Sequence, residues 1–128
     1  MVLIQNCFAQ IRGVADEGAL RDFLDDVILA LDMTVIIPPI GVRLPIVSSK
    51  EYRDSRNRSV NPKDCGLTMM VGIAESHIAL HTWPEFNLIY MEISSCKRFD
   101  VEKVKETIKK HFSGLFKIWE FERYLDKT

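Results

Sequence analysis

The stretch whose reading decides the fold is Leu67 to Ser95, LTMMVGIAESHIALHTWPEFNLIYMEISS. Its first part, from Leu67 to Trp83, would extend on the order of 55 Å as one straight strand, so the chain has to bend inside it. Pro84 to Asn87 supplies turn chemistry, and Leu88 to Ser95 reads as a returning strand, which makes a β-hairpin. With the turn centred between Glu85 and Phe86, His81 faces Tyr90, His77 faces Ser94 and Cys96 faces Glu75. That register puts the side chains of 75, 77 and 81 on one face with those of 90, 94 and 96, gathering a histidine, a thiol and the Glu75–Ser76 peptide. Strict alternation would send the Ser76 side chain to the other face, so the scheme needs a break in the strand at that residue.

Upstream, residues 2 to 11 are apolar and suit a strand, and Asp16 caps a helix with Leu20, Leu24, Val27, Ile28 and Leu31 at helical spacing. Met33 to Ile37 suits a second strand, which Pro38-Pro39 is expected to end. Residues 40 to 65 hold Pro45, Pro62 and a polar tract, SSKEYRDSRNRSVNPKD, in which periodicity disappears and Arg53, Arg56, Arg58 and Lys63 accumulate. The insertion at 46–65 reads as a solvated surface loop rather than an element that gates a substrate. Downstream, Asp100 caps a helix carrying Val101, Val104, Ile108 and Phe112 on one face, with Lys109 and Lys110 near its end and Gly114 as its stop. Residues 115 to 124 form a last strand whose alternation slips between Ile118 and Trp119, where a bulge is expected. The order of elements predicts an α+β fold: a two-layer sandwich of a mainly antiparallel sheet with two helices packed on one face.

The 128 residues, 47% of them hydrophobic, suit one domain, residues 1–128, with a real core. Seventeen basic residues against eighteen acidic ones give a net charge of −1, which offers nothing to nucleic acid or to an anionic membrane. The start, MVLIQNCFAQIRG, reads as a first strand rather than a signal peptide, and no apolar run is long enough to span a bilayer. Cys7, Cys65 and Cys96 are odd in number and widely spaced, which argues against a disulfide framework and for a reducing cytoplasm.

The residues gathered at the hairpin leave several chemistries open. A shared metal is excluded on a strand, because His77 and His81 would stand about 13 Å apart. A thiolate paired with imidazole would make a nucleophile of the thiol-protease or transferase kind, although nothing in the sequence supplies its oxyanion hole. Ordinary half-buried strand residues are the commoner outcome for a Cys and a His met at random.

The string AESHIALHTWPEF, residues 74 to 86, closely resembles the processing-site segment of prokaryotic S-adenosylmethionine decarboxylase proenzymes. Glu75-Ser76-His77, the His81 to Glu85 block and the downstream Cys96 stand at that family's spacing, with Thr68 at its upstream hydroxyl position. The resemblance runs motif by motif from Gly66 to Cys96. It implies cleavage between Glu75 and Ser76: the Ser76 hydroxyl attacks the Glu75 carbonyl, the peptide becomes an ester, and elimination leaves a covalent pyruvoyl group derived from Ser76. That ketone would take the substrate's α-amine as a Schiff base and accept the electrons released with carbon dioxide. By the same resemblance His81 helps processing by removing the α-proton, Thr68 assists the acyl shift and Cys96 returns a proton to the substrate carbon. Glu85 accepts hydrogen bonds from ribose hydroxyls. Trp83 is read as core or hairpin packing, and His77 is left open between structure and function.

The chain departs from the family at Thr68, where serine is usual, and at Asn87 and Lys97, where glycine is usual. Asn tolerates a left-handed turn. The segment before Gly66 lacks the family's aromatic residues. The implied function is S-adenosylmethionine decarboxylation for spermidine synthesis by a cytoplasmic homodimer or higher homo-oligomer. The alternatives are a pyruvoyl decarboxylase of arginine or ornithine, and an unprocessed regulatory homologue that binds a metabolite or partner.

Overall fold

The computed structural model describes residues 2–45 and 65–126. Six strands form one sheet in the order β2-β3-β4-β5-β1-β6, with every neighbouring pair antiparallel. The strands are β1 (Val2–Arg12), β2 (Val35–Pro45), β3 (Cys65–Ile73), β4 (Ser76–Trp83), β5 (Leu88–Ser95) and β6 (Phe116–Leu125). Helix α1 (Glu17–Ala30) joins β1 to β2, and helix α2 (Val101–His111) joins β5 to β6. This is the expected two-layer α+β sandwich.

The inner face of the sheet is made by alternate residues, among them Ala9, Ile11, Met69, Val71, Ile78, Leu80, Met91 and Ile93, all buried. Against it pack Leu20, Phe23, Leu24 and Val27 of α1 with Val104 and Ile108 of α2. Truncating Phe23 here would cost about 3–5 kcal/mol. Both helices begin where expected. Asp16 accepts from the Ala19 N–H at 2.8 Å, and Asp100 from the Glu102 N–H at 2.9 Å, each satisfying one orphan donor of a first turn.

The end of α1 is a Schellman turn. Asp32 takes a left-handed φ of 52°, its N–H donates to the Leu29 carbonyl at 3.2 Å, and the Met33 N–H donates to Ile28 at 3.0 Å. The turn delivers Thr34 to the end of the sheet where β3 meets β4.

Four expectations are corrected. The apolar run from Leu67 does not merely bend: it folds into two paired strands, β3 and β4, joined by the two-residue turn Ala74-Glu75. Pro38-Pro39 does not end β2, which continues to Pro45 with register shifts between Val35 and Ile40. Neither proline has a partner in the ladder with β3, the strand that β2 pairs with among the described residues, so their missing N–H groups forfeit no bond there. Gly72 makes room for the irregularity, since a Cβ at that position would lie 2.8 Å from the Cβ of Ile37.

Gly114 is not the left-handed stop of α2, which ends at an extended Phe112. Glycine is needed there because its backbone presses on β1: a Cβ would come within 2.1 Å of the Arg12 carbonyl oxygen. Finally, β6 carries no bulge. Its register with β1 is unbroken from Leu125 to Phe116. The slipped alternation reflects apolar residues on both faces, with Ile118 packed on the core and Trp119 and Phe121 on the outer side.

Candidate active site

The hairpin register predicted from sequence is present. His81 pairs with Tyr90 and His77 with Ser94 across β4 and β5, and the Cys96 N–H donates to the Glu75 carbonyl at 2.9 Å just past the last pair. The turn at the tip is a single 3-10 turn, Pro84–Phe86, closed by Asn87 at φ 53°.

The Glu75–Ser76 peptide lies at the other end of β4, where three hydrogen bonds pin it. The Ala74 N–H donates to the Thr34 carbonyl at 2.8 Å, the Thr34 N–H donates to the Glu75 carboxylate at 3.2 Å, and the Cys96 N–H holds the Glu75 carbonyl. Two-residue hairpins ordinarily use turns with positive φ at their central residues. Here neither Ala74 nor Glu75 has one, and the departure falls on the next residue, Ser76, at φ 158°. Ser76 nevertheless keeps its register in both ladders, opposite Ile73 and Ser95. The Ser76 side chain is exposed, and its Oγ lies 3.2 Å from Nδ1 of His77.

A second cluster occupies the outer face nearer the hairpin tip. Thr68 Oγ1 and His81 Nδ1 share a hydrogen bond of 3.2 Å between β3 and β4. The His81 ring stacks on Tyr90 with centroids 6.2 Å apart and stands 6.1 Å from the ring of Trp83. Partial burial, and secondarily the charge of Glu92, push the Tyr90 hydroxyl above its ordinary pKa. Trp83 is half-exposed on this face rather than in the core. Glu85 is exposed in the turn beyond it.

The predicted site residues therefore fall into two groups. Glu75, Ser76, His77 and Cys96 stand together at one end of the sheet, and Thr68, His81 and Glu85 lie toward the other. Ser76 and His81 are five residues apart on a strand, which is about 16 Å. Within one copy the imidazole of His81 is not beside Ser76, contrary to the gathering expected from the hairpin; His77 is the neighbouring histidine.

Two features were not legible in the sequence. Thr34 is forty-one positions from Glu75, and no pattern announces its contact with it. Nor does any pattern announce the Lys97 ammonium donating to the Asp32 carbonyl, sixty-five positions away. Among the described residues no group of three or more His, Cys, Asp or Glu is placed to hold a metal ion. The insertion from residue 46 lies outside the described residues as far as Asp64. No helix among the described residues is long and apolar enough to cross a membrane.

The chain is similar to known proteins in sequence and in fold. A family model described as S-adenosylmethionine decarboxylase matches residues 4–123. The S-adenosylmethionine decarboxylase proenzyme of Archaeoglobus fulgidus is 28% identical over 114 residues, covering 85% of this chain and 83% of that one. Its namesake from Thermoanaerobacter sp. (strain X514) is 36% identical over 66 residues, 52% of each chain, so that match spans about half the length of the relative. In three dimensions the fold matches the crystal structure of the adenosylmethionine decarboxylase from Aquifex aeolicus VF5. The TM-score is 0.66 at 20% identity, over 99% of this chain and 96% of that one, a likeness that speaks for the fold.

Proposed function

The chain belongs to the S-adenosylmethionine decarboxylase family, a family of pyruvoyl-dependent carboxy-lyases, and on that premise we propose that it is a proenzyme which cuts itself between Glu75 and Ser76. The mature enzyme then decarboxylates S-adenosylmethionine and so supplies the aminopropyl donor for spermidine synthesis.

The observation that carries this reading is the hydrogen bond from the Cys96 N–H to the carbonyl of Glu75, 2.9 Å long, beside a serine hydroxyl. Attack by Ser76 Oγ on that carbonyl puts negative charge on its oxygen. A main-chain donor already aimed at that oxygen stabilises the charge with no reorganisation. The amide nitrogen then leaves with a proton and an ester remains. Loss of the Ser76 α-proton expels the Glu75 carboxylate, and water releases ammonia from the dehydrated residue, leaving a ketone at position 76.

The exposed position of Ser76 suits such a group, since a ketone there is open to an incoming amine while the sheet holds its backbone. In place, the pyruvoyl group supplies the electron sink for carbon dioxide loss. The exposed thiol of Cys96 adjoins it and is the proton donor to the substrate carbon. The family name carried by the relatives favours S-adenosylmethionine over arginine or ornithine as substrate.

His81, Thr68 and Glu85 require a second copy in this reading. Ile40, Val42, Met70, Trp119 and Phe121 leave the outer face of the sheet broadly apolar and exposed, more than a lone soluble domain usually shows. A homodimer with these faces stacked brings the Thr68–His81 end of one sheet over the Ser76 end of the other. His81 of one copy then removes the α-proton at Ser76 of its partner, with Thr68 assisting the acyl shift and Glu85 meeting the ribose.

Intact-mass measurement under denaturing conditions tests the core of the proposal. Two fragments divided between Glu75 and Ser76 are expected, the second blocked at its N-terminus and reactive toward carbonyl reagents. A single unbroken chain after prolonged incubation overturns it.

A further inference from the structure

The chain leaving β5 reverses at Ser95-Cys96-Lys97, and one hydroxyl closes the reversal. Ser95 is fully buried, opposite Gln5 of β1 and Ser76 of β4. Its Oγ donates to the Lys97 carbonyl at 2.6 Å and accepts from the Lys97 N–H at 3.0 Å. Cys96 is the residue enclosed between them. The Lys97 side chain then reaches across to α1, where Nζ donates to the Asp32 carbonyl at 2.9 Å. Helix α1 has no basic residue in its own last turn, so the Lys97 ammonium is the cation that meets its negative end. The ammonium is also 3.9 Å from the Asp32 carboxylate, but that side chain is fully exposed and the ion pair contributes little. The carbonyl contact is the tie. The same turn of α1 presents Thr34 to Ala74 and Glu75. The stretch after α1 therefore reaches both partners of that hydrogen bond: Thr34 holds Ala74 and the Glu75 side chain, and Asp32 holds Lys97, the residue next to Cys96.

We infer that Ser95 and Lys97 are positioning residues for chain scission, holding the Cys96 N–H on the Glu75 carbonyl so that the acyl shift proceeds. The inference rests on the self-processing reading above and names what sets the rate of its first step. In that step the bond from Ser76 Oγ to the Glu75 carbonyl carbon forms and the hydroxyl proton departs. The carbonyl π pair moves to the oxygen facing Cys96. The carbon–nitrogen bond then breaks, and the released amine takes up a proton. Loss of one oxyanion donor costs on the order of 100- to 1,000-fold in rate where it has been isolated. A donor loosened rather than deleted forfeits a part of that, and the expected slowing is about 10- to 100-fold.

The full chain made by cell-free synthesis, sampled over time, tests this with wild type, Ser95→Ala, Lys97→Met and Lys97→Arg side by side. Ser95→Ala and Lys97→Met are expected to slow the appearance of the two fragments at least tenfold, and Lys97→Arg, which keeps the donor, to restore most of the rate. The stalled chains should also resist hydroxylamine, which cuts esters readily, because the block precedes the ester. A Ser95→Ala or Lys97→Met chain that splits as fast as wild type overturns the clamp, and so does a stalled chain that hydroxylamine cleaves. Should Ser95→Ala fail to fold, the surface pair Lys97→Met and Lys97→Arg decides alone: equal slowing in both overturns the inference. A wild-type chain that never splits sinks the self-processing reading and the clamp with it, whereas a wild type that splits beside an equally fast variant removes the clamp only.

Discussion

In the proposed mechanism Cys96 makes two separable contributions, one through its main chain and one through its thiol. The N–H holds the Glu75 carbonyl and survives any substitution except proline, while the Sγ is exposed and free to move a proton. Cys96→Ala is therefore expected to split at a rate near that of wild type yet lose on the order of 100-fold in carbon dioxide release, the usual contribution of a general acid. Fragment mass against time, set beside product formation, separates the two, and loss of scission in Cys96→Ala would assign the thiol to processing instead. Cys7 cannot stand in for it. That thiol is buried in the core, and desolvation, reinforced by the charge of Glu120, pushes its pKa up to about 12.

The helices meet through a charged contact whose strength depends on pH. Asp26 of α1 lies 2.6 Å from Nε2 of His111 and 3.3 Å from Nζ of Lys110, both on α2. The hydrogen bond from His111, then that from Lys110, hold its carboxyl below the ordinary 3.8. The folded state thus binds this proton less readily than the unfolded chain does. Its contribution is in full force above the unfolded pKa and is lost as the pH falls through the folded one. Melting temperatures of wild type and Asp26→Asn should differ by on the order of 2 °C near pH 6 and converge only as the pH falls below 3.8, through the folded pKa; a gap that is constant with pH would show that only packing changed. The capped helices were legible in the sequence because Asp16 and Asp100 are local signals, as was the hairpin register, which follows from one turn. What escaped depends on neighbours. Pro38-Pro39 is tolerated because it falls where β2 shifts register against β3, and Gly114 is needed because β1 passes beneath it. Ala74-Glu75 has no turn signature to mark it, since the unusual backbone sits on Ser76. The motif around Ser76 named the chemistry, but composition gives no hint that His81 and Ser76 belong to opposite ends of one sheet.

Whether the two ends work together is a question about the assembled molecule. Ser76 and Cys96 lie at one end of β4 and Thr68 and His81 toward the other, about 16 Å along the strand, and the sheet between them presents an apolar outer face. If stacked copies complete each other's sites, two inactive chains can rescue one another. A His81→Ala chain keeps its own serine but lacks the base; a Ser76→Ala chain cannot be cut but keeps its histidine. Co-expressed under different tags, they form mixed dimers in which one site pairs Ser76 of the first chain with His81 of the second. That site is intact, so the His81→Ala chain should be split in the mixture and remain whole when made alone, with about half of it cleaved if copies pair at random. Phe121→Glu, which buries a carboxylate in the stacked face, should lower the assembled mass to that of a monomer and abolish the rescue together with scission, because an unpaired buried charge costs several kcal/mol. Cleavage of His81→Ala alone would show that His77, the nearer imidazole, suffices within one copy. No cleavage in the mixture, with mixed dimers demonstrated by tag, would show that the two clusters do not serve the same bond.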